Sequence, residues 1–275
     1  MSIKTFAKDW LPPAVVRALR PLRSGGGIRF EGNYATWEAA TAQCTGYDAE
    51  PILTKVLEAT LKVKRGEAAY ERDSVLFDEI EYAWPVTTAL MWAAAQNAGR
   101  LDVLDFGGAL GSSYFQNRAF LASLPQVRWS IIEQAHYVQA GREHIQDDTL
   151  RFYSSIDGCL ADNKPNVVLL SSVLQYLPVV DSVIKQVNDS GATIIIIDRT
   201  PFNNEQCNKI CVQTVPKSIY KASYPMTIFS LDKFIVDMID WDIVARIRSP
   251  EGSLITESGL ALNFQGFILR RKNAG

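Results

Sequence analysis

The residues best suited to chemistry form one run between Leu101 and Leu124, LDVLDFGGALGSSYFQNRAFLASL. An apolar stretch leads into Asp105, a glycine-rich turn follows, and Ser112 and Ser113 open an amphipathic stretch. The glycines of the turn are Gly107, Gly108 and Gly111. Glycine lets a backbone pass close to a ligand, and a helix that begins at the serines offers free N–H groups. A doubly wound sheet holds a nucleotide-type cofactor at such a turn.

The glycines alone do not identify the cofactor. Two acids near the turn limit which cofactor can bind there. Glu133 stands 22 residues after Gly111, at the end of the next predicted strand. A carboxylate in that place can accept both ribose hydroxyls of a nucleoside. Asp105 would repel the pyrophosphate of a dinucleotide, whereas an acid suits the cationic amino group of S-adenosylmethionine. The residues therefore predict the sulfonium cofactor rather than NAD.

A set of short apolar strands must position these residues. Five of them follow Arg100, separated by spacers of helix length. They are predicted at Val103–Phe106, Val127–Ile132, Arg151–Tyr153, Val167–Leu170 and Thr193–Ile197. This alternation predicts an α/β fold with a doubly wound, mostly parallel sheet and helices on both faces.

The C-terminal quarter breaks the alternation. A polar and aromatic segment runs to about residue 230 and is predicted to be irregular, a lid over an acceptor site. A helix is predicted at Leu231–Ile239. The runs Trp241–Arg248 and Phe264–Arg271 are expected to pair antiparallel and to complete a seven-stranded sheet.

The N-terminal third is predicted to be helical. Residues 36–98 show no strand-like alternation, and Gly99 is a suitable C-cap. We therefore expect three parts: a basic arm with a glycine linker (1–27), a helical cap (28–99) and the sheet domain (100–275).

Composition and charge limit the function classes. The chain has 275 residues, 47% of them hydrophobic, and a formal net charge of -2, which argues against a nucleic-acid binder. Residues 1–30 nevertheless carry +5 and the remainder -7. This arm is either a helix packed on the body or, through residues 1–24, a contact with an anionic membrane. Four scattered cysteines and the lack of a long apolar run predict a cytoplasmic protein, with peripheral association at the inner face of the membrane left open.

The chain resembles the class I, Rossmann-like S-adenosylmethionine-dependent methyltransferases. Within them it is similar to the methyltransferase family of bacterial surface-polysaccharide and lipopolysaccharide biosynthesis clusters. The segments that carry the resemblance are GYD (46–48), RGEAAYERDSVLFDEIEYAWP (65–85), VLDFGGALGSSYFQNR (103–118), WSIIEQ (129–134), VVLLSSVLQYLP (167–178), IIIDRTPF (195–202) and SYPMTIFS (223–230).

This resemblance implies roles in cofactor binding. Asp105 and the three glycines would form the turn at the methionine end, and Glu133 would hold the ribose. The remaining candidates are Gln134 and either Ser155 or Asp157 near the adenine, and Ser171 and Ser172 beside the cofactor. The family alternates acid-x-Gly-x-Gly-x-Gly, whereas Ala109 replaces the middle glycine here.

Two candidates for the chemistry follow the fifth predicted strand. Asp198 is a candidate general base, and Arg199 would orient a phosphate or carboxylate of the acceptor. An Asp–Arg pair that only fixes the loop is an equal alternative. Tyr224 and Tyr220 would line the acceptor site from the lid. No metal site is predicted, because neither of the two histidines has ligand-like spacing to another donor.

Three functions therefore compete. The first is methyl transfer, expected at oxygen, to a small-molecule or lipid-linked saccharide. The second is a nicotinamide-dependent oxidoreductase on the same fold, which Asp105 disfavours. The third is a non-catalytic partner in a polysaccharide biosynthesis complex, which the missing glycine at position 109 allows. The sequence does not predict an oligomeric state.

Overall fold

The computed structural model describes residues 28–44, 49–72, 74–215 and 222–272. The basic arm (1–27), the GYD segment and Tyr220 lie outside the described residues. Within those residues, no helix is both long enough and apolar enough to cross a membrane.

Twelve strands and eight α-helices are found in the described part of the chain. The strands are β1 (Arg29–Tyr34), β2 (Tyr70–Arg72), β3 (Val75–Phe77), β4 (Arg100–Phe106), β5 (Gln126–Ile132), β6 (Leu150–Tyr153), β7 (Val167–Ser171), β8 (Ile194–Asn203), β9 (Lys209–Val215), β10 (Ala222–Ser230), β11 (Trp241–Ile255) and β12 (Ala261–Arg271). The helices are α1 (Trp37–Thr41), α2 (Ala49–Lys64), α3 (Trp84–Gln96), α4 (Ser112–Leu121), α5 (Ala135–Ala140), α6 (Ile156–Asp162), α7 (Val180–Asp189) and α8 (Leu231–Asp237).

The centre of the fold is a parallel sheet in the order β6-β5-β4-β7-β8. All five predicted strands are confirmed. Their apolar runs are buried because helices cover both faces of the sheet, as shown by the fully buried segment Val167–Leu170 of β7. Strand β12 pairs antiparallel with β8, and β11 pairs antiparallel with β12. The predicted α/β fold, with its mostly parallel central sheet and antiparallel C-terminal pair, is therefore confirmed, but among the described residues the sheet has ten strands rather than the predicted seven.

Two further strands correct the prediction for residues 200–230, and a third, from the N-terminal part of the chain, pairs with one of them. The expected irregular lid is instead the antiparallel pair β9–β10, and β1 adds to the outer edge of β9. Strand β10 joins β8 only at Phe229 and Ser230. Pro225 argues against a strand in the sequence, yet it lies opposite Val212 in the register of β10 with β9, at a position that no ladder from β8 reaches.

The prediction that residues 36–98 contain no strand is also wrong. Strands β2 and β3 form a hairpin within this range, joined at Ser74, whose φ is +67°. Each strand has only three residues, too few to show an alternating pattern. The hairpin packs against α2 and α4, while α3 packs against β4 and β8. The expected boundary at residues 99 and 100 stays a prediction.

Candidate functional site

The glycine turn joins β4 to α4 at the edge where the parallel strands end, here called the carboxyl edge. Gly107 and Gly111 have φ angles of +73° and +100°, which L side chains rarely adopt. A hydrogen bond from the Gly107 N–H to the Ile132 carbonyl, 2.9 Å long, ties the turn to β5. A Cβ on Gly108 would lie 2.6 Å from the Asp105 carboxyl group. Backbone conformation and the acid beneath the turn therefore both require glycine here.

Asp105 lies beneath the turn at the end of β4 and is only 1% exposed. The indole N–H of Trp129 donates a 2.9 Å hydrogen bond to its Oδ2. Burial is the main cause that raises the pKa of Asp105 to about 7; the Trp129 hydrogen bond and Arg199 act to lower this pKa, and the nearby Glu133 also raises it. The carboxyl group thus changes charge close to neutral pH.

Glu133 stands at the end of β5 and closes the turn from the side. Its Oε1 accepts a hydrogen bond from the Ala109 N–H at 3.2 Å, and its Oε2 accepts one from the Gln134 N–H at 2.8 Å. Burial raises the pKa of Glu133, while the two backbone hydrogen bonds lower it. The carboxylate is therefore held at the turn, at the sheet position where a ribose-binding acid is expected.

Ala109 takes the backbone conformation that the usual glycine would take. Its φ is +49°, in the left-handed region, so the turn tolerates the methyl group rather than shifting away. A non-glycine residue in that region lowers the free energy of unfolding by about 1 kcal/mol relative to glycine. Alanine offsets part of this loss, because it restricts the unfolded chain more than glycine does.

We expect Ala109→Gly to change the free energy of unfolding by less than about 1 kcal/mol, because these two effects oppose each other. Ala109→Val should destabilise by about 2 kcal/mol, because a β-branched residue fits the left-handed region poorly. Urea unfolding of both variants checks this. A glycine variant as unstable as the valine variant would contradict the assignment of the turn geometry.

The residues predicted near the adenine lie at the starts of two helices. Gln134 is exposed and immediately precedes α5. Ser155 caps α6 by accepting a 3.1 Å hydrogen bond from the Gly158 N–H, and Asp157 is exposed in the first turn of α6. Their contact with an adenine stays a prediction.

The structure brings Ser171, Asp198 and Arg199 together where β7 and β8 end their parallel pairing. The Ser171 hydroxyl donates to Asp198 Oδ2 at 3.2 Å and accepts from Arg199 Nη2 at 3.2 Å. Arg199 Nε lies 3.4 Å from Asp198 Oδ2, and Asp198 is 5% exposed. The predicted Asp–Arg pair is therefore an ion pair between a buried acid and a partly exposed arginine, and the Ser171 hydroxyl links the two.

Backbone strain collects around this ion pair. Ser172 and Arg199 have positive φ angles, of +56° and +49°. Five non-glycine residues in the described part of the chain have a positive φ, and three of them, Ala109, Ser172 and Arg199, lie at the carboxyl edge. Gln175 is fully buried and links Ser172 to Arg199. Its Nε2 donates one hydrogen bond to Ser172 Oγ at 3.2 Å and another to the Arg199 carbonyl at 3.3 Å. Strain of this kind is typical of functional sites.

Tyr224 lies in β10 rather than in a lid. The Tyr176 hydroxyl donates to Gln213 Oε1 at 3.0 Å, and Gln213 Nε2 donates to the Tyr224 hydroxyl at 3.3 Å. The two tyrosine rings meet edge to face with centroids 5.1 Å apart. Tyr224 is thus part of a half-buried polar and aromatic cluster beside the sequence that follows β7.

The roles of two residues in this region could not be predicted from the sequence. Gln213 gives no local signal, because its role depends on the unpredicted pairing of β9 with β10. Glu71 lies in the matching run 65–85, yet nothing in the spacing indicates that it reaches Ser112 of α4. In the described part of the chain, no group of three or more His, Cys, Asp or Glu side chains is arranged to hold a metal ion.

Comparisons with known proteins give matches among solved structures. No protein-family model matches the chain, and no curated protein matches it. The N-terminal domain of EvdMO1, crystallised in the presence of SAH and D-fucose, matches with 11% identity and a TM-score of 0.47, over 82% of this chain and 98% of that chain. The 1,6-didemethyltoxoflavin-N1-methyltransferase of Burkholderia thailandensis matches with 11% identity and a TM-score of 0.41, over 89% and 100%. CalS10, an amino pentose methyltransferase from Micromonospora echinaspora, matches with 10% identity and a TM-score of 0.43, over 70% and 93%.

Proposed function

We propose that the chain is an S-adenosylmethionine-dependent methyltransferase that acts on a hydroxyl group of a saccharide. The observation that carries this proposal is the position of Glu133. Its carboxylate lies at the end of β5 and accepts the Ala109 N–H of the glycine turn. An acid there suits the two hydroxyls of a ribose, with the turn beneath the rest of the nucleoside.

The acids around the turn favour a cationic cofactor over a dinucleotide. Asp105 lies directly beneath Gly108, and Glu71 contacts the first residue of α4. A pyrophosphate needs the start of this helix free of negative charge, so these acids disfavour a nicotinamide dinucleotide. They suit the amino group of S-adenosylmethionine, which Asp105 would stabilise from below.

The chemistry needs alignment and one proton acceptor. When bound, the cofactor would supply a methyl group activated by its sulfonium; an acceptor oxygen would form a bond to the methyl carbon as the bond from carbon to sulfur breaks, with the thioether SAH as the leaving group. Asp198 is the candidate to take the proton of the acceptor hydroxyl, and Arg199 holds Asp198 in place with Ser171. Positioning within a site that excludes water supplies much of the remaining rate.

A saccharide acceptor suits the cluster of Tyr176, Gln213 and Tyr224. Aromatic rings can pack on the apolar face of a sugar, and an amide can bond its hydroxyls. The acceptor would be a small saccharide or a lipid-linked intermediate of a surface polysaccharide. The lipid-linked case and the contact of residues 1–24 with a membrane rest on the charge of the arm alone.

Thermal melting with two ligands tests the cofactor. S-Adenosylhomocysteine (SAH) at about 100 times its Kd should add about 2.7 kcal/mol to the free energy of unfolding and raise the Tm, whereas NADH should leave it unchanged. A rise with NADH alone would replace the proposal by the oxidoreductase function.

Transfer of labelled methyl groups from S-adenosylmethionine to a panel of neutral saccharides tests the reaction. Asp198→Asn should lower the rate of transfer about 100-fold or more while SAH still binds, because a general base typically contributes that much. Transfer that is unaffected by the substitution would remove Asp198 from the mechanism. If SAH binds but the wild type transfers no methyl group to any of these saccharides or to lipid-linked envelope precursors, the non-catalytic function stands instead.

A further inference from the structure

Asp198 and Arg199 form a β-bulge in β8, opposite Gly266 of β12. The register of the two strands shifts at this point, so that two residues of β8 face a single residue of β12. The parallel pairing of β8 with β7 ends at the same place, where Ser171 lies opposite Asp198. A bulge bends a strand and redirects its side chains, and bulges are common beside active sites. The direction in which both side chains of the ion pair leave the sheet therefore depends on this bulge.

Gly266 allows β12 to approach the bulge closely. A Cβ at this position would lie 2.1 Å from the Ile197 carbonyl oxygen and 2.9 Å from the Asp198 Cα. Both are backbone atoms, which cannot turn aside as the end of a flexible side chain can. Glycine inside a strand is typical of such a close approach between two backbones. The bulge is thus built into the pairing of β8 with β12.

Gln175 connects the bulge to the turn after β7. It is fully buried in the short 3-10 helix Leu174–Tyr176, and its Nε2 donates to the Arg199 carbonyl and to Ser172 Oγ. The Ser172 N–H in turn donates to the Asp198 carbonyl at 2.9 Å. Within the described part of the chain, the Oε1 of Gln175 accepts no hydrogen bond. The amide of Gln175 therefore serves only the two residues with positive φ.

We propose that Gln175 is a positioning residue, which holds Asp198 and Arg199 in place at the carboxyl edge. Backbone strain of this kind persists only where the surrounding structure maintains it, and the two N–H groups of Gln175 do so. This inference rests on the proposed function, in which Asp198 takes the proton of the acceptor hydroxyl. A small displacement of such a group lowers the rate strongly, although Gln175 itself touches neither cofactor nor acceptor.

Nuclear magnetic resonance of the isotope-labelled full chain at pH 6 tests this role. The Nε–H signal of Arg199 is identified by its loss in Arg199→Lys. Gln175→Met keeps the length of the side chain but removes both N–H donors. It should shift the Arg199 signal and speed its exchange with solvent at least about fivefold, the effect of losing one hydrogen bond.

Gln116→Met is the matched control. Gln116 is also buried, at 6% exposed, and its Nε2 also donates to a backbone carbonyl, that of Glu81, at 2.6 Å. Its loss should lower the free energy of unfolding yet leave the Arg199 signal unchanged, which separates a general loss of stability from a local displacement. Ser172→Ala removes only one of the two bonds of Gln175. It should shift the signal less and replaces Gln175→Met if that variant does not fold.

Rate measurements give a second readout. In the transfer of labelled methyl groups to neutral saccharides, Gln175→Met should lower kcat about tenfold. The Kd of SAH should change much less, because neither hydrogen bond of Gln175 reaches the glycine turn or Glu133. Gln116→Met should leave both quantities unchanged.

The outcomes separate this inference from the proposed function. An Arg199 signal that Gln175→Met leaves unchanged, or moves no further than Gln116→Met does, overturns the inference, and so does an unchanged kcat. A selective shift of the signal together with a lower kcat supports it. A wild type that does not bind SAH, or that binds it and transfers no methyl group, overturns the proposed function. The resonance comparison then still decides whether Gln175 holds the ion pair.

Discussion

Replacing Glu133 by alanine is expected to weaken the binding of SAH about 100-fold, the largest effect of any single substitution on affinity. The ribose loses two hydrogen bonds to a charged acceptor, which together contribute about 3 kcal/mol. The Ala109 N–H also loses its carboxylate partner, so the turn is held less firmly. Isothermal titration of both proteins with SAH measures the ratio.

Two variants show whether the loss belongs to the carboxylate at this position. Glu133→Gln keeps one acceptor oxygen and should weaken SAH only about tenfold. Glu143→Ala removes an exposed acid of the turn that follows α5, whose recorded partners are Gln139 and His144, and should leave the affinity unchanged. Equal affinities of wild type and Glu133→Ala would remove Glu133 from the site.

Replacing Asp105 by asparagine is expected to stabilise the protein at alkaline pH. The pKa of Asp105 is raised to about 7, mainly by burial, so the ionised carboxylate is unfavourable in the folded state. Asparagine keeps an acceptor for Trp129 without a charge. A shift of about three pKa units corresponds to at most about 4 kcal/mol, so the variant should unfold at higher urea concentration at pH 8.

The sign of the pH dependence follows from proton binding. Between pH 4 and about 7 the folded protein holds a proton on Asp105 that the unfolded chain has lost. The contribution of this group to stability therefore falls as the pH rises through that window and reaches its lowest value above about pH 7. The gap between Asp105→Asn and wild type should be small at pH 4 and largest at pH 8.

The same substitution should weaken the cofactor while it stabilises the fold. If the ionised carboxylate stabilises the ammonium group from below, Asp105→Asn lowers the affinity for SAH several-fold at pH 8 and much less at pH 6, where wild-type Asp105 is largely protonated. Trp129→Phe is the control for the titration of Asp105. It removes the indole donor that lowers the pKa of Asp105, so this pKa rises further while the carboxyl group is kept. Urea curves of wild type and Asp105→Asn that differ equally at every pH would contradict this account.

The strands and the glycine turn could be predicted because their signals are local. An apolar run such as Val167–Leu170 must be buried on both faces, and glycine is needed at Gly107 and Gly111 whether or not a ligand binds. The position of Glu133 follows from the parallel order of β4 and β5. These features depend on neighbours within about 25 residues of sequence.

The remaining features depend on pairings between distant segments. Glu71 reaches Ser112 through a hairpin of two three-residue strands, which carries no periodic signal. Pro225 concealed β10, since proline is uncommon inside a paired strand. The sequence predicts that Asp198 and Arg199 either fix their loop or take part in the reaction, but it does not indicate that Ser171 contacts both of them.

Titration of SAH into the wild-type protein at pH 8 decides whether the chain binds the sulfonium cofactor. We expect one site per chain with a Kd between about 1 μM and 1 mM, the range of typical KM values, and no heat from NADH under the same conditions. The absence of SAH binding would contradict the proposed function, and saturable binding of NADH in its place would favour the oxidoreductase function.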